Sequence, residues 1–178
     1  VQKSKQILKQ LLESADKLGI SDLVIPCVDN SSLLKDHHLS LLQNQLEQIL
    51  PKAESLAVNL ALEADLAPVQ FKSLLNQLDS PRVTVNYDIG NSASLGYIAA
   101  EELSAYGERI SDIHVKDRIC GGGSVMLGKG SADIPEFFDL LKPYNYNGPI
   151  IMQAYRDDEG LGVFKSQLKW LKSNVEGF

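Results

Sequence analysis

Four residues spread along the chain are of types that could do chemistry together: Glu63, Asp88, His114 and Gln153. Each follows a short run with the composition of a β-strand: LAVNLALEAD, RVTVNYDIGN, SDIHVKD and PIIMQAYR. A strand that stops on an acid or an imidazole places that side chain at its carboxyl end, where ligands and metals sit in parallel α/β folds. Two carboxylates, one imidazole and one amide oxygen suit Mn²⁺, Mg²⁺, Co²⁺ or Zn²⁺. Any one of these residues alone reads as a solvated loop side chain. The repetition at successive strand ends points to a metal site.

Other residues carry weaker signals. Lys116 shares a strand face with His114, because side chains alternate with period two. Lys116 and Arg118 stand beside a glycine-rich loop, Arg118–Gly130, and with Arg156 they could hold an anion or serve as ordinary rim charges. His37 and His38, at a helix start, read as surface residues. Asp29 also ends a strand, but reads as a solvated loop acid.

The elements that would position these residues alternate strictly. Helical spacing covers Lys3–Leu18, His38–Leu50, Pro68–Leu78, Ala99–Arg109 and Val163–Leu171, and a further helix starts at Asp133 with Glu136 three residues on, as in a capping box. Strands are expected at Asp22–Asp29, Leu56–Asp65, Val83 to Asp88, Ser111–Asp117 and Pro149–Arg156. Pro26 weakens a central placement for the first. Tyr87 to Asn91 reads as a glycine turn closing the third. Strand–helix alternation implies a parallel sheet with right-handed crossovers. An open doubly wound sheet and part of a (β/α)8 barrel both fit, although no GxGxxG or P-loop marks a strand-to-helix turn. A full barrel takes ~250 residues, so five strands would be an incomplete one with its first three units missing.

The chain has 178 residues, 44% of them hydrophobic, which suits a single domain over 1–178. Its net charge of −6 and pI near 5.0 disfavour non-specific nucleic-acid binding. Cys27 and Cys120 form no CxxC pair, consistent with a reduced, cytoplasmic setting. No apolar run approaches the ~18 residues of a membrane span.

The phrases LALEAD, NYDIGN, IHVKDR, LGKGSADI and YNGPIIMQAYR resemble the xylose isomerase-like sugar-phosphate isomerase/epimerase superfamily, most closely its pentulose-5-phosphate 3-epimerase and hexulose-6-phosphate isomerase branch. The resemblance runs from about Leu18 to Arg156 and corresponds to the fourth through eighth βα units of a TIM barrel. It implies a divalent metal held by Glu63, Asp88 and His114. The family's fourth ligand is a glutamate, and Gln153 stands there instead. It further implies that Asn91, Lys116 and Asp117 line a substrate site for a sugar or sugar phosphate.

The implied activity is isomerisation or epimerisation of a ketose or ketose phosphate. A metal chelating the carbonyl and the adjacent hydroxyl acidifies the α C–H and stabilises an enediolate. Glu63 is the candidate base. Gln153 can ligate but cannot carry a proton, which favours one-base isomerisation or dehydration over two-base epimerisation. A competing reading is a catalytically impaired or partner-dependent barrel fragment acting as a binding relic. It would dimerise, or pair with a complementing N-terminal segment, to cover its open edges. The abasic-site nuclease that shares this barrel needs more histidines and a DNA-binding surface.

Overall fold

The computed structural model describes residues 2–153, 155 and 160–177. In chain order come helix α1 (Gln2–Leu18), strand β1 (Asp22–Cys27), helices α2 (Asp36–Glu47) and α3 (Leu50–Leu56), β2 (Asn59–Ala64), α4 (Pro68–Leu78) and β3 (Val83–Asp88). Then follow α5 (Ile89–Leu95), α6 (Ala99–Tyr106), β4 (Ile110–Val115), the two-residue strands β5 (Asp117–Arg118) and β6 (Ser124–Val125), α7 (Ile134–Leu141), β7 (Ile150–Met152) and α8 (Leu161–Asn174). Among the described residues β1 lies beside β2 and β2 beside β3, and β4 lies beside β7. The pairings of β1 with β2, β2 with β3 and β4 with β7 are parallel. These are the strands expected from the sequence. No described helix is long and apolar enough to cross a membrane.

The chain divides into two compact units, residues 1–86 with 109–111, and residues 87–108 with 112–178. The first is built on β1 and β2. Leu60, Ala61 and Leu62 of β2 are fully buried, with Leu12 of α1, Leu46, Ala53 of α3, and Leu74 and Leu75 of α4 in the same core. Gly19 ends α1 at φ 67°, a left-handed position that glycine adopts without penalty. Pro26 falls in β1, the outer strand of the described sheet, where a missing N–H breaks no ladder.

One expectation is corrected here. Residues 50–58 hold a helix the periodicity did not separate. Pro51 cannot continue α2, because its ring removes a donor and clashes with the preceding turn, but it suits the first turn of α3. Ala57, left-handed at φ 55°, closes α3 by donating to the carbonyls of Ala53 and Glu54. The strand therefore begins at Asn59 rather than Leu56.

In the second unit the core gathers Tyr87, Leu103, Ile113, Ile134, Phe137 and Leu171. Tyr87 stacks on Phe137 with ring centroids 4.7 Å apart. Asp133 caps α7 by accepting the Glu136 N–H at 3.0 Å, as the spacing predicts. Two further expectations are corrected. The residues after Asp88 form α5 rather than a glycine turn. The glycine-rich loop contains a β5–β6 antiparallel hairpin.

Candidate metal and proton-transfer site

Asp88 ends β3 and caps α5. Its Oδ1 accepts the backbone N–H of Asn91 at 2.8 Å, which satisfies one of the amides a helix start leaves unpaired. This fixes the carboxylate and aims Oδ2 elsewhere. Oδ2 is buried and receives no hydrogen bond among the described residues. Its charge is balanced by the Lys116 ammonium, 2.7 Å away but not aligned as a hydrogen bond.

His114 and Lys116 project from one face at the end of β4, and both reach Gln153, which follows β7. Lys116 Nζ donates to Gln153 Oε1 at 3.2 Å. Gln153 Nε2 lies 2.9 Å from His114 Nδ1. An ammonium has no acceptor, so Lys116 decides which end of the amide faces it. The NH₂ end therefore donates to Nδ1 and leaves the proton of a neutral His114 on Nε2. His114 Nδ1 is also 3.8 Å from Asp88 Oδ2.

On β2 the buried Glu63 accepts from Asn86 Nδ2 at 3.1 Å through Oε2. Asn86 was not singled out from the sequence, yet the signal was there. Thr84, Asn86 and Asp88 are the polar alternate positions of VTVNYD, hence one face of β3. All three are buried, so that face is a polar interior. In the second unit Asp88 Oδ2 and His114 Nδ1, 3.8 Å apart, stand side by side as possible ligand atoms, and in the first Glu63 offers a buried carboxylate. A buried carboxylate with an oxygen that receives no hydrogen bond among the described residues, beside an imidazole, is a donor pair that fits a divalent cation.

The other expected site residues have partners of their own. Asp117 is fully buried, and its oxygens accept the N–H groups of Gly128, Gly130 and Ala132 at 2.9, 2.8 and 3.1 Å. Asp117 anchors the glycine-rich loop through these three amides. Arg118 donates through Nη1 to Asn91 Oδ1 at 2.8 Å and through Nε and Nη2 to Gly122 O. It ties α5 to the hairpin. Asn91, buried, holds that guanidinium and caps onto Asp88. Arg156 lies outside the described residues. His37 is exposed, whereas His38 is only half-buried: its Nδ1 is 2.9 Å from Ser32 O. It lines an apolar groove of about 460 Å³ with Leu8, Ile25 and Leu46.

The sequence matches the profile of the xylose isomerase-like TIM barrel family over residues 1–174. The chain belongs to this family. A Haemophilus influenzae protein provisionally named L-ribulose-5-phosphate 3-epimerase SgbU is 28% identical over 98% of this chain. The chain spans 66% of that relative's length. Among solved structures, a xylose isomerase domain protein from Planctomyces limnophilus superposes with a TM-score of 0.80 at 17% identity, over 95% of this chain and 64% of that one. A xylose isomerase-like TIM barrel protein from Mycobacterium smegmatis, solved in complex with magnesium, gives 0.74 at 17% identity, over 98% and 68%. At these identities the structural matches establish the fold.

Proposed function

We propose that this chain carries the metal-binding and proton-transfer site of a sugar isomerase or epimerase that acts on a ketose or ketose phosphate. The observation that carries the reading is the buried pair Asp88 and His114, with Asp88 Oδ2 receiving no hydrogen bond among the described residues. The relative's name, an epimerase of a pentulose phosphate, supports the substrate class. Glu63, Asp88 and His114 would hold the cation, with Gln153 able to add its amide oxygen. A divalent cation there supplies Lewis acidity that makes the hydrogen beside a ketose carbonyl easier to remove.

The protein groups do the rest. Asn86 fixes Glu63 through Oε2, so the carboxylate meets the substrate carbon in one orientation. Glu63 takes the proton there and returns it to the neighbouring carbon, an isomerisation that one base on one face can complete. Asp88, held through Oδ1 by the α5 amide, keeps its other oxygen turned to the site. Gln153 is neutral and cannot relay a proton, so Glu63 acts as the single base. Burial of all three residues excludes water from the abstracted proton.

The test is a calorimetric Mn²⁺ titration of the chain and of Asp88→Ala, followed by proton exchange of L-ribulose 5-phosphate in D₂O, read by NMR at saturating metal. Binding is expected in the parent and lost in Asp88→Ala. Exchange is expected to fall by roughly 10²-fold or more in Glu63→Gln. Equal exchange in Glu63→Gln and the parent removes Glu63 as the base. Absence of Mn²⁺ binding in the parent removes the metal site.

A further inference from the structure

We propose that Lys116 is a built-in competitor for the metal: its ammonium occupies the Asp88 carboxylate as a resident counter-cation, and an incoming divalent cation must displace it. The inference rests on the metal-site reading above.

Three observations carry it. First, Lys116 Nζ lies 2.7 Å from Asp88 Oδ2, the carboxylate oxygen that receives no hydrogen bond. Asp88 is 1% and Lys116 17% exposed in their side chains, so water screens the pair little. Second, the ammonium is held from its other side by Gln153 Oε1 at 3.2 Å. Third, the same glutamine donates its NH₂ to His114 Nδ1 at 2.9 Å. Lys116 thereby fixes two proposed ligands at once, Asp88 by charge and His114 through the amide.

The competition follows from charge and donor type. A lysine has only donors, and a cation needs the lone pairs that those donors occupy. Asp88 Oδ2 cannot offer the same lone pair to both. When the cation arrives, the ammonium moves off and Gln153 loses the partner that orients its amide. The glutamine can then turn its oxygen inward. Gln153 suits this arrangement better than a carboxylate would. A glutamate at 153 would attract Lys116 as strongly as Asp88 does, and could not donate to a deprotonated Nδ1. Lys116 thus sets the metal affinity of the site as a positioning residue, with no contact to the reacting atoms required.

The decisive experiment is a Mn²⁺ titration by calorimetry on the parent, Lys116→Met and Asp88→Ala. Methionine keeps the length of the apolar stem and removes the charge. Lys116→Met is expected to bind Mn²⁺ roughly tenfold tighter or more. Its metal-free form is expected to show a changed His114 ring resonance by NMR, because Gln153 loses its second anchor. Lys116→Met that binds no tighter than a parent that does bind overturns this proposal while leaving the metal site standing. Parent and Lys116→Met both silent toward Mn²⁺ overturn the metal site and this proposal together. Should Lys116→Met fail to fold, acetylation of the parent followed by mass spectrometry decides. Lys116 is expected to react several-fold faster with Mn²⁺ present, and an unchanged or slower rate overturns the displacement.

Discussion

Gly90 lies against Lys116: a Cβ on Gly90 would sit 2.6 Å from Lys116 Cγ and 2.9 Å from the Lys116 carbonyl oxygen. The lysine stem could swing aside, but the carbonyl belongs to the backbone between β4 and β5 and cannot. Alanine in a helix gains about 1 kcal/mol over glycine, whereas overpacking typically costs about 1–3 kcal/mol. Backbone contact below 3 Å puts this position at the upper end, so the clash wins. Gly90→Ala is expected to lower stability by about 1–2 kcal/mol in urea titration and to weaken Mn²⁺ binding by shifting both Asp88's helix and Lys116. A stabilised Gly90→Ala variant with unchanged metal binding contradicts the close approach.

Asp117 holds the long loop after β4 to the body of the protein. Asp117→Ala deletes acceptors for the amides of Gly128, Gly130 and Ala132. Hydrogen bonds to a charged group contribute about 1.5–3 kcal/mol each, but these loop amides can be rehydrated, so the total is expected to be about 2–4 kcal/mol. Hydrogen exchange gives the sharper test: the three amides lose protection in Asp117→Ala while those of α4 keep theirs. Full protection of Gly128 and Gly130 in the variant would show that the carboxylate is not their anchor.

Glu102 makes stability depend on pH. Its carboxylate is buried and accepts from Tyr87 Oη at 2.6 Å, Tyr106 Oη at 2.8 Å and Ser92 Oγ. Burial raises its pKa above the ordinary 4.5, and the three hydroxyl donors pull it back only in part. A carboxyl raised in the folded state binds its proton more tightly than in the unfolded chain. Its contribution to stability is therefore complete below 4.5 and is lost as pH rises through the folded value. Glu102→Gln stays neutral throughout. Relative to that variant, the parent is expected to lose stability from pH 4.5 toward neutrality. Parallel urea-derived stability curves for the two proteins across that range exclude the effect.

The two thiols differ in reactivity. Cys27 is buried and its thiol is pushed up to about 12, first by burial and then by the negative charges of Asp65 and Glu63. Cys120 is exposed. Since the thiolate is the nucleophile, Ellman's reagent at mildly alkaline pH is expected to titrate one thiol quickly and the other at least ~10²-fold more slowly. Both should react together after denaturation. Two equally fast thiols in the native chain would place Cys27 at the surface.

Much of this architecture was legible in the residues. The apolar spacing of Phe71, Leu74, Leu75 and Leu78 locates α4 at the bounds observed, because proline opens it and Asp79 in a left-handed conformation closes it. The Asp133–Glu136 pair announces α7 for the same local reason. Less legible was α3, whose seven residues are too few to establish a period and whose apolar Leu56 merges with the strand beyond. Asn86 was overlooked because its partner, Glu63, is 23 residues away in the chain. The hydrogen bonds of Asp117 to the loop amides were not legible, because they depend on the β5–β6 hairpin, which strand alternation along β4 does not record.

The sequence by itself determined the strand-helix order and which strand ends carry Glu63, Asp88, His114 and Gln153. Those depend on proline, glycine, capping residues and alternation, all of which act within a few positions. Only the tertiary structure decided how the polar atoms are paired: Asp88 Oδ2 with Lys116, Gln153 between Lys116 and His114, and Asp117 with the loop amides. Hydrogen bonds and ion pairs are short-ranged and directional, so the partner is chosen by distance and angle in the folded chain. Residues tens of positions apart become competitors for one lone pair, and no local pattern records which of them wins.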